Sequence, residues 1–328
     1  MAQHVYDLTH VHLDRPAHVT IGSFDGVHRG HQAIIRRMVE AARASDAWAV
    51  VLTFYPHPSV VLGRQKPPFY INSPEEKAQL LAELGVDLIV THPFNEEVRH
   101  MRAHEFVALL CRHLRMSDLW IGHDFALGYQ REGNATRLRE LGEEKGYGLH
   151  VIDQPVMWRG EIVSSSRVRR ALAAGDVEEA MGCLGRPFRL PGVVIEGVHR
   201  GKQLGIPTAN LAVWDERAIP ANGVYACWAI LSPDPSPVTT GQSAHRHPAV
   251  VNIGVRPTVE TSGKQTVEAH LLDFEGDLYG QALALDFIAR LRDEQRFAGV
   301  DALVAQIRQD IAQARDILAR AQSPDAPA

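Results

Sequence analysis

The chain has 328 residues, 45% of them hydrophobic and 22% charged, an ordinary globular composition with more apolar material than one core of typical size needs. A net charge of −5 and a pI near 6.4 lack the basic excess of a phosphate-backbone binder, which argues against a nucleic-acid partner. No apolar run is long enough to span a bilayer, so no membrane role is expected, and the size points to two domains.

The first residues, Met1 to Pro16, mix His, Asp, Tyr and Arg and do not read as a signal peptide. Cys111, Cys183 and Cys227 are odd in number, far apart and without a CxxC pair, which argues against a disulfide framework and a structural zinc site. A reducing, cytoplasmic setting is expected.

From His18 to about Ile152 short β-branched or aromatic runs alternate with helical patterns, the signature of βα units around a parallel sheet. Strands are expected at His18–Gly22, Trp48–Phe54, Asp87–Thr91, Asp118–Ile121 and Gly148–Ile152, and helices at Gly30–Arg43, Pro74–Glu83, Ala103–Leu114 and Ala135–Lys145. A helical pattern follows Ser165, and Gly175-Asp176 reads as a stop and an N-cap for a short helix toward Cys183. The Gly185-Arg186-Pro187 stretch is the expected border, giving domains of residues 1–184 and 185–328. Beyond it Arg189–Glu196, Thr208–Val213, Val224–Leu231, Pro248–Ile253, Thr266–Leu272 and Ala282–Ala289 read as six closely spaced strands of a small antiparallel barrel. Ser232–His247, rich in Pro, Ser and Thr, is expected to be an exposed, mobile loop. Leu303, Ile307, Ile311, Ala314 and Leu318 recur at helical spacing, a terminal amphipathic helix expected to do no more than cover the barrel.

The first chemical signal is Gly22-Ser-Phe-Asp-Gly-Val-His28-Arg-Gly-His31, leaving a strand and opening a helix. His28 and His31 share a face of the first turn, where unpaired N–H groups and the helix dipole favour anions, and Gly30 lets the chain pass close to a nucleotide. A surface pair, or half of a zinc site, is the plain alternative for a bare HxxH. The full string resembles the nucleotidyltransferase superfamily with its (H/T)xGH motif, and its flanks resemble the bacterial FAD synthetase branch. Thr53-Phe-Tyr-Pro-His-Pro58 is similar to that family's flavin-side loop, implying flavin contacts for Phe54, Pro56 and Pro58. Ile121-Gly-His-Asp-Phe-Ala-Leu-Gly128 resembles its GxDFxFG loop at Asp124 and Phe125, with Ala126 and Leu127 departing from the pattern. Val163-Ser-Ser-Ser-Arg-Val-Arg169 is similar to its ISSTxIR motif; Ser164 and Ser165 offer hydroxyls near a helix N-terminus and Arg169 a planar cation suited to phosphate. The resemblance implies binding roles for Gly22, Phe24, Asp25, Gly30, Asp124, Ser164 and Ser165, and catalytic roles for His28, His31 and Arg169.

In the second half Gly197-Val-His-Arg-Gly-Lys202-Gln invites a P-loop reading, but the spacing is one short and Gln203 replaces the metal-holding Ser or Thr. The string continues as Gln203-Leu-Gly-Ile-Pro207-Thr-Ala-Asn-Leu211, which resembles the PTAN motif of riboflavin kinases. Thr208 and Asn210, two apart on an expected strand, can offer oxygens to one hard cation, and by resemblance they hold Mg²⁺ with the ATP phosphates. Gly223-Val-Tyr225, Asn252-Ile-Gly-Val-Arg256-Pro-Thr258, Glu268 and Phe274–Gly280 follow in the kinase family's order. A carboxylate at Glu268, aimed into a barrel mouth, can accept the riboflavin 5′-hydroxyl proton as general base. Arg292 and Phe297 match a segment near the flavin, and Gly201, Lys202 and Pro207 fall in the nucleotide-side loop.

The resemblance runs from Val19 to about Arg315 and identifies the chain as a member of the bacterial riboflavin kinase/FAD synthetase family. It implies an α/β Rossmann-like nucleotidyltransferase domain followed by a six-stranded antiparallel barrel with a terminal helix. The implied substrates and products are ATP, riboflavin, FMN and FAD, with Mg²⁺. A kinase-only enzyme and a non-catalytic flavin or nucleotide sensor on the same folds are the rival readings, and sequence leaves the oligomeric state open.

Overall fold

The computed structural model describes residues 2–197, 205–232, 245–255 and 265–321. The chain divides into two compact units, Met1–Ser165 and Ser166–Ala328.

In the first unit, strands β1 (Gln3–Val5), β2 (Ala17–Ile21), β3 (Trp48–Tyr55), β4 (Leu88–Pro93), β5 (Met116–Gly122) and β6 (Gly148–Ile152) form a wholly parallel sheet in the order β1-β4-β3-β2-β5-β6. Five of these strands match the expected ones; β1 is too short to carry a periodic signal. Helices α1 (Arg29–Ala44), α2 (Pro58–Val61), α3 (Pro74–Glu83), α4 (Glu96–His100), α5 (Ala103–Leu114) and α6 (Ala135–Lys145) intervene, and a hairpin of β7 (Met157–Trp158) and β8 (Glu161–Ile162) follows.

Both sheet faces are covered, which is why β2 is buried throughout instead of alternating. Val50 and Leu52 of β3 face Phe106, Leu110 and Leu114 of α5 and Leu138 and Leu141 of α6. Ala49 and Val51 face the other way, onto Ile35, Met38 and Ala42 of α1 and Ala78 and Leu81 of α3. Chain order runs outward from β2 through β3 to β4, then returns to place β5 on β2's other side. At such a reversal the loops leaving the carboxyl ends of the strands part, and a crevice for a ligand opens.

In the second unit, helices α7 (Ser165–Ala174, starting at the division) and α8 (Val177–Leu184) precede a closed antiparallel barrel. Its strands are β9 (Phe188–Ile195), β10 (Ala209–Ala212), β11 (Gly223–Ser232), β12 (His245–Val255), β13 (Gln265–Leu271) and β14 (Ala282–Arg292), in the order β10-β13-β12-β11-β14-β9. β9 closes the barrel by pairing with both β10 and β14. The units divide ahead of the expected border at 184/185 because α7 and α8 join the barrel: Ala221 N donates to Leu172 O, Arg290 donates to Ala174 O, and Val177, Ala180, Cys183 and Leu184 are buried. The expected loop at Ser232–His247 is shorter at both ends, since Ser232 belongs to β11 and His245 to His247 to β12, paired with Leu231, Ile230 and Ala229; residues 233–244 lie outside the described residues.

Along β11, Val224, Ala226 and Trp228 pack under Ala314 and Leu318 of the terminal helix α9 (Val300–Ala321). The alternate residues Tyr225, Cys227 and Ala229 point to the opposite, inner face and are fully buried, with Tyr225 edge-on to Phe287. No helix among the described residues is long and apolar enough to cross a membrane.

Candidate active sites

The Gly22–His31 turn leaves β2 at the order reversal of the parallel sheet. It is a strained piece of backbone: Phe24 (φ 46°), Gly26 (φ 83°) and Val27 (φ 42°) all take left-handed conformations. For Phe and Val that conformation costs roughly 1–2 kcal/mol each, so it persists only where neighbours impose it. Here both side chains are buried, and the Asp25 carboxylate accepts from Ile71 N at 3.1 Å and from Asn72 N at 3.4 Å. Ser165 Oγ donates to Asp25 O at 2.8 Å, and Gln32 Nε2 donates to Val27 O at 2.9 Å. Asp25 therefore fastens the turn with its carboxylate turned inward, and Ser165 joins the second motif to the first through that carbonyl.

His28 is the N-cap of α1, and its Nδ1 accepts from His31 N at 3.4 Å. The two imidazoles stack with centroids 3.6 Å apart, and Phe24 meets His31 edge-on at 5.1 Å. Gly30 serves this stack as well as any ligand: a Cβ there would lie 3.1 Å from the His28 ring. Gly22 makes room for Phe24 in the same way. Burial, and then the charges of His28 and Lys77, hold His31 well below the ordinary histidine value, so it stays neutral at pH 7. The pair presents a neutral His31 ring stacked on the His28 cap at a helix N-terminus, an arrangement suited to phosphate oxygens.

Around this centre, Phe54, next to last in β3, is in ring contact with His92, Phe94 and Phe106. Pro56 is exposed, and Pro58 opens α2 behind the His57 cap. The His57 N–H donates to Tyr70 Oη at 2.9 Å, and Tyr70 packs against Tyr55 and Phe69, tying the flavin-side loop to the segment that also holds Asp25. Asp124 is exposed after β5 beside His123. Leu127 turns into the core, bonded through its backbone to Gly133, so the departure at this position alters packing beneath the loop. Ser164 immediately precedes α7, and Arg169 lies one turn along it, within the second unit.

The second site lies on the barrel's outer face. Across the strands Asn210 pairs with Glu268, Glu268 with Asn252, and Asn252 with Val224, and such register partners project to one face. Since Val224 packs under α9, Glu268 stands on the helix side of the barrel wall, and the expected aim into a barrel mouth is corrected. A cavity of about 340 Å³ opens there, walled by Thr208, Asn252, Glu268, His270, Arg292 and Phe297 together with Leu303 and Ile307 of α9. The terminal helix thus does more than cover the barrel. Strand β10 starts at Ala209, one residue later than expected, with Thr208 just ahead of it; the Pro207 carbonyl sits 2.7 Å from His270 Nδ1. The backbone of Gly197 leaves no space for a Cβ beside the Asn210 amide. Arg292 reaches the cavity wall with its guanidinium engaged by the buried Asp310 carboxylate at 2.8–3.1 Å, which ties β14 to α9. Gly201 and Lys202, like Arg256 to Thr258, lie outside the described residues.

Residues 10–167 match the family model for FAD synthetase and residues 184–318 the model for riboflavin kinase. A bifunctional riboflavin kinase/FMN adenylyltransferase of Pseudomonas fluorescens is 41% identical over 314 residues, covering 94% of this chain and 96% of its relative. The chain belongs to the bifunctional riboflavin kinase/FMN adenylyltransferase family. The like-named protein of Escherichia coli strain K12 is 37% identical over 300 residues, 91% of each chain. A crystal structure of a Streptococcus pneumoniae protein described as a macrolide-efflux protein superposes with a TM-score of 0.85 at 28% identity, covering 96% of this chain and 99% of that one.

In this member of the family the structure places Asn252, which opens a matched motif, beside Glu268, and adds two residues that motif reading missed: Tyr70 fastens the flavin-side loop, and Lys77 lies buried behind the Gly22–Asp25 turn. Lys77 had one local signal: with Pro74, Ala78 and Leu81 it occupies the buried face of α3, where a lysine is out of place.

Proposed function

We propose that this chain makes FAD from riboflavin in two ATP-dependent steps, one on each unit. In the first, Glu268 accepts the proton of the riboflavin 5′-hydroxyl as its oxygen attacks the γ-phosphorus of ATP; the bond to the β-phosphate oxygen breaks and ADP leaves. Asn210 and Asn252 flank that carboxylate in register. Mg²⁺ fits the side-chain oxygens of Thr208 and Asn210, whose amide lies close against the backbone of Gly197, with phosphate oxygens as the natural further ligands of a hard cation. When bound, the ion supplies charge neutralisation on the phosphates. In the second step an FMN phosphate oxygen attacks the α-phosphorus of another ATP and pyrophosphate leaves. His28 and His31 donate to the oxygens gaining charge, and Arg169 is assigned the same work.

Phe54, Pro56, Pro58 and Asp124 are assigned to the flavin side, Gly22, Phe24, Asp25, Gly30, Ser164 and Ser165 to forming the triphosphate cradle, and Gly201, Lys202, Pro207 and Arg292 to the kinase substrates. We place the functional border at 184/185, within a residue of the start of the riboflavin kinase match at 184, and the protein in a reducing cytoplasm, consistent with free thiols at Cys111, Cys183 and Cys227.

The observation that carries the two-step reading over a kinase-only one is the stacked histidine pair on a braced turn at the sheet's order reversal. Incubation with riboflavin, ATP and Mg²⁺, followed by chromatography, is expected to show FMN and then FAD. His28→Ala or His31→Ala should abolish FAD while FMN persists. FMN alone from the unaltered chain would leave the kinase-only reading, and neither product the sensor.

A further inference from the structure

Lys77 has a motif-independent claim on the adenylylation site. It is 4% exposed, yet its ammonium donates to Ser23 O at 2.9 Å and to Thr53 Oγ1 at 3.1 Å, and Thr53 Oγ1 in turn donates to Ser23 O at 3.0 Å. Ser23 immediately precedes the left-handed run of Phe24, Gly26 and Val27, and that run delivers His28 and His31 to the head of α1. A buried ammonium is expensive to keep, and the turn's geometry is expensive to hold. One group meets both demands here, because the carbonyl that anchors the turn is the acceptor that satisfies the lysine.

We propose that Lys77 is a positioning residue for adenylyl transfer, clamping the Ser23 carbonyl to Thr53 so that the turn delivers His31 to the triphosphate in register. The proposal rests on the reading of the first unit as the FMN adenylyltransferase. Lys77 is faced by the Asp25 carboxylate from the turn, Glu75 from its own helix, His31 from α1 and His4 from β1. Burial brings the ammonium down to about 8 against the two carboxylates, so it remains largely charged at neutral pH, and its field helps to keep a proton off His31.

The test uses the full chain and follows FMN-to-FAD and riboflavin-to-FMN conversion in parallel. Lys77→Met is expected to lower kcat for FAD formation about 10- to 100-fold, the scale of a small misplacement of reacting groups, with KM for ATP changed less than about threefold. FMN formation should match the unaltered chain. In the same variant the His31 imidazole, followed by NMR, should titrate closer to the ordinary histidine value than in the unaltered protein, a change that a filler side chain would not cause. A kcat for FAD within about twofold of the unaltered chain, or an unmoved His31 titration, overturns the proposal. Should Lys77→Met fail to fold, Thr53→Val removes one arm of the clamp at nearly constant shape and should cost several-fold in the same kcat; no loss there overturns it equally. An unaltered chain that makes FMN but no FAD sinks the adenylyltransferase reading itself, a result distinct from either variant outcome.

Discussion

At the scale of single residues, the chemistry rests on side chains whose backbone geometry leaves them little choice. His28 folds back over its own helix start because it caps it, and Gly30 leaves the space for the ring. Strand register sets Glu268 between two amides, and its role as a base can be separated from substrate binding. Glu268→Ala is expected to lower kcat for FMN formation by about 100-fold or more, the usual worth of a general base, while riboflavin still binds. Flavin fluorescence titration beside a turnover assay checks this, and undiminished turnover removes Glu268 from the mechanism.

The element that carries most at the kinase site is α9. Its apolar stripe is split between two duties: Ala314 and Leu318 seal Val224 and Trp228, while Leu303 and Ile307 wall the cavity. Leu318 is 1% exposed, and Leu318→Ala should destabilise the second unit by about 2–4 kcal/mol through lost burial and the void left behind. Denaturant unfolding followed by Trp228 emission measures it; a loss below about 0.5 kcal/mol would show that the helix is not docked as described.

For the molecule as a whole, charge buried in the first unit sets its response to acid. Desolvation by burial is the leading cause lowering His4, His18, His31 and His92 from the ordinary value of 6.5. The unfolded chain therefore binds protons below pH 6.5 that the folded unit refuses, so stability is fully present above that pH and is lost as the pH falls. Asp7, Asp87 and Glu132, all held below the ordinary carboxylate range, act in the same direction at lower pH. Calorimetry between pH 7.5 and 5.5 should show the transition of the first unit moving down with pH, and an unmoved transition would contradict the burial of these imidazoles.

Local order along the chain determined a great deal: five strands and the four longer helices between them at the sheet, six strands of a barrel, and the turn from Gly22 to His31 at a strand's end. Hydrophobic period, caps and glycine positions are properties of a few consecutive residues, and they survive into any fold that buries them. Short pieces such as β1 and the β7–β8 hairpin were too brief for a period to form. Tertiary structure alone decided that Ser23 and Lys77, far apart in sequence, share a hydrogen bond, that Asp25 turns inward to the 71–72 backbone, and that Glu268 faces α9 and not the barrel mouth. Those outcomes depend on strand order, register and which helix covers which face. They are fixed by how the whole chain minimises unpaired polar groups and exposed apolar surface, which no short stretch of sequence encodes.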